Sequence, residues 1–134
     1  IVWARFTSDI DQIIDLLGPS AVRYDGTMTA DDAERSKMAF QAGDAKWFVG
    51  NAQKGGSGLT LTQAKTMVYY SNSFKLIERL QSEDRAHRPG MDEHPLNIVD
   101  LVCEGTVDER IIQSLRDKRE ISAQVLGDEM REWL

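Results

Sequence analysis

The sequence is short of the residues that build covalent or metal-held scaffolds. Of 134 residues one is cysteine, Cys103, and two are histidine, His87 and His94. An internal disulfide is therefore excluded, a Cys/His zinc site cannot be assembled, and a reducing compartment is expected. A basic excess is lacking too: 16 Lys and Arg face 22 Asp and Glu, for a net charge of -6. That excludes a wholesale basic surface for gripping nucleic acid but leaves room for a local contact strip. No apolar run approaches the roughly 20 residues that cross a bilayer, and no basic stretch followed by an apolar core opens the chain. No membrane partner or targeting signal is expected. A Ser or Cys with a matched base and orienter is missing, so a hydrolase triad has no support.

What is present is an ordinary globular composition, 41% hydrophobic and 28% charged, in a length that suits one domain with a sizeable core. Ile1 to Phe6 reads as a strand rich in β-branched and aromatic residues. Ser8 or Asp9 then caps a helix whose Ile10, Ile13, Ile14 and Leu17 recur at helical spacing, ended by Gly18-Pro19. Ala21 to Tyr24 is a second strand. Thr29, with Asp31 and Asp32, opens a second helix carrying Ala33, Met38 and Phe40 and stopping near Gly43. Lys46 to Val49 and Met67 to Tyr70 are further strands, separated by a glycine-bearing loop from Gly50 to Thr62. A helix from Phe74 to His87 and a fifth strand from Leu96 to Val102 follow, and from Thr106 the chain is helical and charged, with a break at Gly127. Strand and helix alternate without hairpin signals, which implies right-handed βαβ units and an α/β fold: a parallel β-sheet sandwiched by helices. Ligands bind such sheets at the carboxyl ends of the strands. The loops after Tyr24, Val49 and Tyr70 are the ones to search. A chain that begins inside a strand without an initiator Met reads as a fragment of something longer.

Three stretches carry chemistry. In Gln81 to Gly90, Arg85 and Arg88 fall three residues apart on one face of a helix that Pro89-Gly90 stops, and two guanidiniums at a helix end hold phosphate well. Helical ion pairs with Glu83 or Asp84 are the plain alternative. Gly50 to Ser57 nearly fits a phosphate-cradling P-loop, but Gly56 stands where its lysine should be and Lys54 comes two positions early, so a Walker A reading is rejected. Glycines after a buried strand still let backbone N–H groups approach an anion, with Lys54, Ser57 and Thr60 adding contacts to a nucleic-acid phosphate. A flexible turn is the alternative. Asp25-Gly26-Thr27-Met28-Thr29 ends a strand and opens a helix, so it either faces a phosphate or is a turn capped by Thr27 or Thr29.

Together these segments resemble the second RecA-like lobe of superfamily 2 helicases, most closely the Snf-type translocases, from Val2 to about Glu120. Arg23-Tyr24-Asp25-Gly26-Thr27 with Arg35 and Phe40 looks like the family's DNA-facing turn and following helix. Gly55-Gly56-Ser57-Gly58-Leu59-Thr60-Leu61 is similar to motif V, Gln81, Arg85, His87 and Arg88 to motif VI, and Gly105 to Ile111 to the segment that follows. The resemblance implies a RecA-like, P-loop NTPase fold lacking its own P-loop. It implies a helicase C-terminal domain over 1-134, a fragment of a longer chain, with a helical C-terminal extension over 106-134. Arg88 is then the arginine finger, Arg85 its neighbour on the nucleotide phosphates and Gln81 an assistant. Gly58 belongs with these arginines at the cofactor, and Gly26, Thr27, Lys54, Gly55, Gly56, Ser57 and Thr60 belong at the nucleic acid. ATP and Mg²⁺ are expected to be held mainly by a first RecA-like lobe, the implied partner along with DNA. No metal ligands are expected here, and the fragment alone is expected to be inactive. The alternatives are a non-catalytic nucleic-acid or protein docking module on the same fold and a stand-alone nucleotide-binding domain. Met91 where the family has Gln and Ser73-Phe74-Lys75 in place of Trp-Asn-Pro set the chain apart from true chromatin remodellers, and the compact chain with short loops suggests a bacterial or phage relative in the cytoplasm; a eukaryotic one would be nuclear.

Overall fold

A computed structural model describes residues 1–54, 59–87 and 95–126. Five strands, β1 (Val2–Trp3), β2 (Ala21–Tyr24), β3 (Trp47–Gly50), β4 (Thr66–Tyr69) and β5 (Asn97–Asp100), form one sheet in the order β2-β3-β1-β4-β5. All four pairings are parallel, as alternation of strand and helix requires. Helices α1 (Thr7–Leu17), α2 (Ala30–Ala42), α3 (Leu76–Asp84) and α4 (Val107–Leu126) connect or follow them.

Alternation along the strands divides the core in two. Val2, Ala4 and Val49 point to one face and meet Ile10 and Ile13 of α1. Ile1, Trp3, Phe48, Met67 and Tyr69 point to the other, where they meet Phe40 of α2, Ala86, and Leu59 and Leu61 from the loop after β3. The sheet is thus sandwiched as expected. Gly50 sits at the end of β3 because a β-carbon there would overlap the Tyr24 carbonyl oxygen of β2; glycine permits that approach.

Several expected boundaries shift. The strand read over Ile1 to Phe6 is only Val2–Trp3, extended by an Ala4 N–H bond to the Gly50 carbonyl at 2.9 Å. Helix α1 starts at Thr7 with Phe6, not Ser8 or Asp9, at the cap and no capping side chain. The Phe6 carbonyl already accepts from the Asp9 and Ile10 N–H groups, and this early turn brings Ile10 and Ile13 onto the sheet. Thr29 caps α2 as expected, its side chain accepting from the Asp32 N–H, and left-handed Gly43 (φ 83°) ends it. Met38, carried on α2 with Ala33 and Phe40, is 61% exposed, since α2 turns a narrow stripe ending in Phe40 to the sheet. The fifth strand is shorter than Leu96 to Val102, and Leu101 and Val102 are exposed. The break expected at Gly127 lies outside the described residues.

The helix read from Phe74 to His87 is the largest revision, since α3 runs only from Leu76 to Asp84. Beyond it the Ala86 and His87 N–H groups both turn back to the Glu83 carbonyl at 3.1 Å. The Arg85 carbonyl accepts from the Leu61 N–H at 2.8 Å. In a longer helix that carbonyl would face residue 89, which is proline and has no N–H to give. The common helical face expected for Arg85 and Arg88 therefore does not form by continuation of α3; Arg88 itself lies outside the described residues.

Candidate functional site

Helix α1 leaves β1 toward one face of the sheet, while α3 leaves the adjacent β4 toward the other. Diverging exits open a crevice above the strand ends, the usual ligand position in such sheets. It is lined by Trp3 at the end of β1, Ala4 and Arg5 after it, Asn51 to Gln53 after β3, and Ser71 to Ser73 after β4, with Glu78 and Arg79 of α3. Its walls are cross-braced. The Asn51 amide donates to the Arg5 carbonyl at 2.8 Å, the Arg5 N–H donates to Ser71 Oγ at 2.8 Å, and Gln53 Nε2 donates to Glu78 at 2.9 Å. Burial pushes the Glu78 carboxyl up, but bonds from Lys75, Gln53 and Ser73 outweigh it and leave the group below its ordinary range.

The turn after β2 is built inward. Asp25 is 2% exposed, and its carboxylate accepts from the Thr27 N–H at 2.8 Å, from Thr27 Oγ1 at 2.6 Å and from Arg23 Nε at 2.5 Å. Burial raises that carboxyl while these bonds lower it further. The Met28 N–H goes to the Asp25 carbonyl. Two of the N–H groups that could face a phosphate are thus taken up within the turn, and Thr29 caps the helix that follows. Gly26 and Thr27 remain exposed. Lys54 folds back so that Nζ donates to the Asp25 carbonyl and lies 5.5 Å from the Tyr24 ring centroid. Arg35 is exposed and pairs with Asp32. Phe40, named with it in the helix after the turn, is buried against Phe48 at 5.4 Å between ring centroids, because its place in the helix stripe turns it to the sheet. Gly55, Gly56, Ser57 and Gly58 lie outside the described residues, and Thr60 is half-buried beside Leu59 and Leu61.

At the end of α3, Gln81 and His87 are exposed, whereas Arg85 is 6% exposed. Its guanidinium lies 5.5 Å from the Trp3 ring centroid. Burial lowers its proton affinity, with Tyr24 and Tyr69 opposing. Leu61 N–H to Arg85 O joins the loop read as motif V to the segment read as motif VI.

Sequence reasoning missed Arg5 and Asn51 in the crevice and Arg79 in its wall. Arg79 carries one legible signal, its i,i+4 spacing to Glu83, and the structure forms that pair at 2.6 Å. Arg5 and Asn51 carry none, because their proximity depends on β1 lying between β3 and β4. Among the described residues no helix is long and apolar enough to cross a membrane.

Residues 1–90 match the helicase conserved C-terminal domain. The chain is 32% identical over 132 residues to the chromatin-remodeling ATPase INO80 of Drosophila melanogaster, covering 95% of this chain and 8% of that one. It is 33% identical over 136 residues to the DNA repair and recombination protein RDH54 of Saccharomyces cerevisiae, covering 98% and 14%. The C-terminal part of the Fun30 ATPase domain is similar in structure, with a TM-score of 0.73 at 26% identity over 85% of this chain and 38% of that one. The chain therefore spans a small part of each curated relative. These relatives are eukaryotic and one is a remodelling ATPase, so they do not support the bacterial or phage source expected from the short loops. Loop length within one lobe reports how its sheet is connected, not where the protein comes from.

Proposed function

The chain belongs to the helicase conserved C-terminal domain family, and from that membership we propose that it is the C-terminal motor lobe of an ATP-dependent DNA helicase or translocase of the Snf type. On this reading residues 1-134 are one lobe of a longer protein, 106-134 its helical extension, and a first RecA-like lobe supplies the P-loop lysine and the Mg²⁺-binding acids. The observation that carries it is the Leu61 N–H to Arg85 carbonyl bond. It makes one mechanical unit of a loop suited to a nucleic-acid backbone and a segment bearing arginines.

The residues present fit a half-site for ATP. Exposed Gln81 and the pinned backbone at Arg85 give a fixed edge, and Lys54, folded onto Asp25, is not placed as a P-loop lysine. When bound, ATP supplies the phosphoanhydride whose cleavage drives the motor. Arg88 and Arg85 would provide positive charge to the γ-phosphoryl group, an effect worth about 10³-fold or more in related hydrolases. Gln81 would orient the attacking side, and Gly58 would lie close to the phosphates. Gly26, Thr27, Gly55, Gly56, Ser57 and Thr60 would contact the DNA strand, with Lys54 bracing that turn. A nuclear location follows if the parent protein acts on DNA in a eukaryotic cell.

In the full-length protein, Arg88→Ala is expected to lower kcat by about a hundredfold while ATP binding stays near its parent value. Unchanged DNA-stimulated turnover would remove the arginine-finger assignment. The docking-module reading draws on one feature, an open apolar groove between α3 and α4 lined by Phe74, Ile77 and Ile121. A P-loop and acidic pair encoded upstream of Ile1 would decide for the motor.

A further inference from the structure

Behind the crevice wall, charged side chains from α3, α4, β5 and the loop after β4 form one connected network. Arg79 is its hub, its side chain 9% exposed. Its Nε donates to Glu83 Oε1 at 2.6 Å, Nη1 to Asp100 Oδ1 at 2.6 Å and to Asn72 Oδ1 at 2.9 Å, and Nη2 to Asp100 Oδ2 at 3.2 Å. The guanidinium carbon lies 3.5 Å from the Tyr69 ring centroid. Tyr69 OH in turn shares a 2.5 Å bond with Ser82 Oγ, which donates to the Arg79 carbonyl at 2.7 Å. The second Glu83 oxygen accepts from Arg119 Nη2 of α4 at 2.9 Å. The residue before Arg119, Lys118, donates from Nζ to the Phe74 carbonyl at 2.6 Å.

Glu83 lies midway between Gln81 and Arg85. Both of its oxygens are held, one from within α3 and one from α4, so the last turn of α3, which leads directly into Arg85, is set about its axis from outside that helix. Charge-assisted bonds of this length in a partly buried setting are stiff and directional. We infer that Arg119, through Glu83 and Arg79, is a positioning residue for the nucleotide half-site, and that α4 is therefore part of the catalytic apparatus. The inference rests on the motor-lobe reading above and extends it to a residue on the helical extension. Arg119 touches neither nucleotide nor Arg85; it acts through the end of α3. Displacing a reacting group by about 1 Å costs up to about a hundredfold in rate without a matching loss of binding.

The test uses the full-length protein with ATP and duplex DNA. Arg119→Ala is expected to lower kcat about tenfold or more with KM for ATP changed less than about twofold. Arg119→Lys, which keeps one donor, should restore part of the loss, and Arg119→Ala added to Arg85→Ala should cost little more than Arg85→Ala alone. Glu83→Gln, which keeps the shape and removes the charge, provides a second variant should Arg119→Ala fold poorly; it should reproduce the kcat loss. A lowered melting temperature with kcat unchanged, or full additivity with Arg85→Ala, overturns the inference and leaves Arg119 structural. Failure of the motor-lobe reading looks different: the parent protein itself would then show no DNA-stimulated turnover.

Discussion

Arg79 and Arg85 stand six positions apart on one segment, both largely buried and both near an aromatic ring, yet their surroundings act in opposite directions. Around Arg79, burial disfavours the charge, but Asp100, Tyr69 and Glu83 outweigh it and hold the guanidinium above its ordinary pKa. Around Arg85, burial dominates over the help from Tyr24 and Tyr69 and pushes the group below its ordinary value. The first is a charge whose counter-charges are built into the fold. The second is a buried guanidinium 5.5 Å from the Trp3 ring centroid, where desolvation is the largest influence. Ion pairing sets the balance at Arg79 and burial sets it at Arg85, a distinction that residue type alone cannot make.

Removing Arg79 would break the comparison most forcefully. Arg79→Ala leaves the Asp100 and Glu83 carboxylates without their shared partner and should destabilise the domain by about 3–5 kcal/mol, read from chemical denaturation; a loss under about 1 kcal/mol would erase the contrast. Arg85→Ala should do the reverse in the full-length protein, lowering turnover about a hundredfold while the melting temperature falls less than for Arg79→Ala. A variant of Arg85 that loses stability and keeps its turnover would make both arginines structural.

The smallest effect concerns acid. Burial raises the Asp100 carboxyl, but its bonds from Arg79 and Asn72 leave it below its ordinary value. A carboxylate depressed in the folded state contributes stability that is fully present above the ordinary carboxylate pKa and lost as pH falls through the folded value. Stability should therefore rise with pH across that acidic window, and Asp100→Asn should flatten this slope in denaturation curves taken below about pH 5. An unchanged slope would show that Asp100 is not a principal contributor.

Much of the fold was legible because its signals are local. The β2 strand, the Thr29 cap and the Gly43 stop depend on a few neighbouring residues, and each lies where the sequence puts it. The end of α3 was misread by three residues because helical spacing continues past Asp84, while the Leu61 N–H that captures the Arg85 carbonyl comes from a distant segment. Phe40 shows a related limit: motif resemblance orders residues along the chain and does not say that this side chain packs on Phe48.

By itself the sequence determined the alternation of strands and helices, the parallel sheet that follows, and the residue types gathered in Gln81 to Gly90. Chain connectivity and local sterics suffice for these. Tertiary structure alone decided that β1 lies between β3 and β4, that Arg5 and Asn51 meet across a crevice, and that Arg119 reaches Glu83 from thirty-six positions away. Such contacts arise where separate elements converge to bury a common core, and the energy that selects them belongs to the assembled layers rather than to any one stretch.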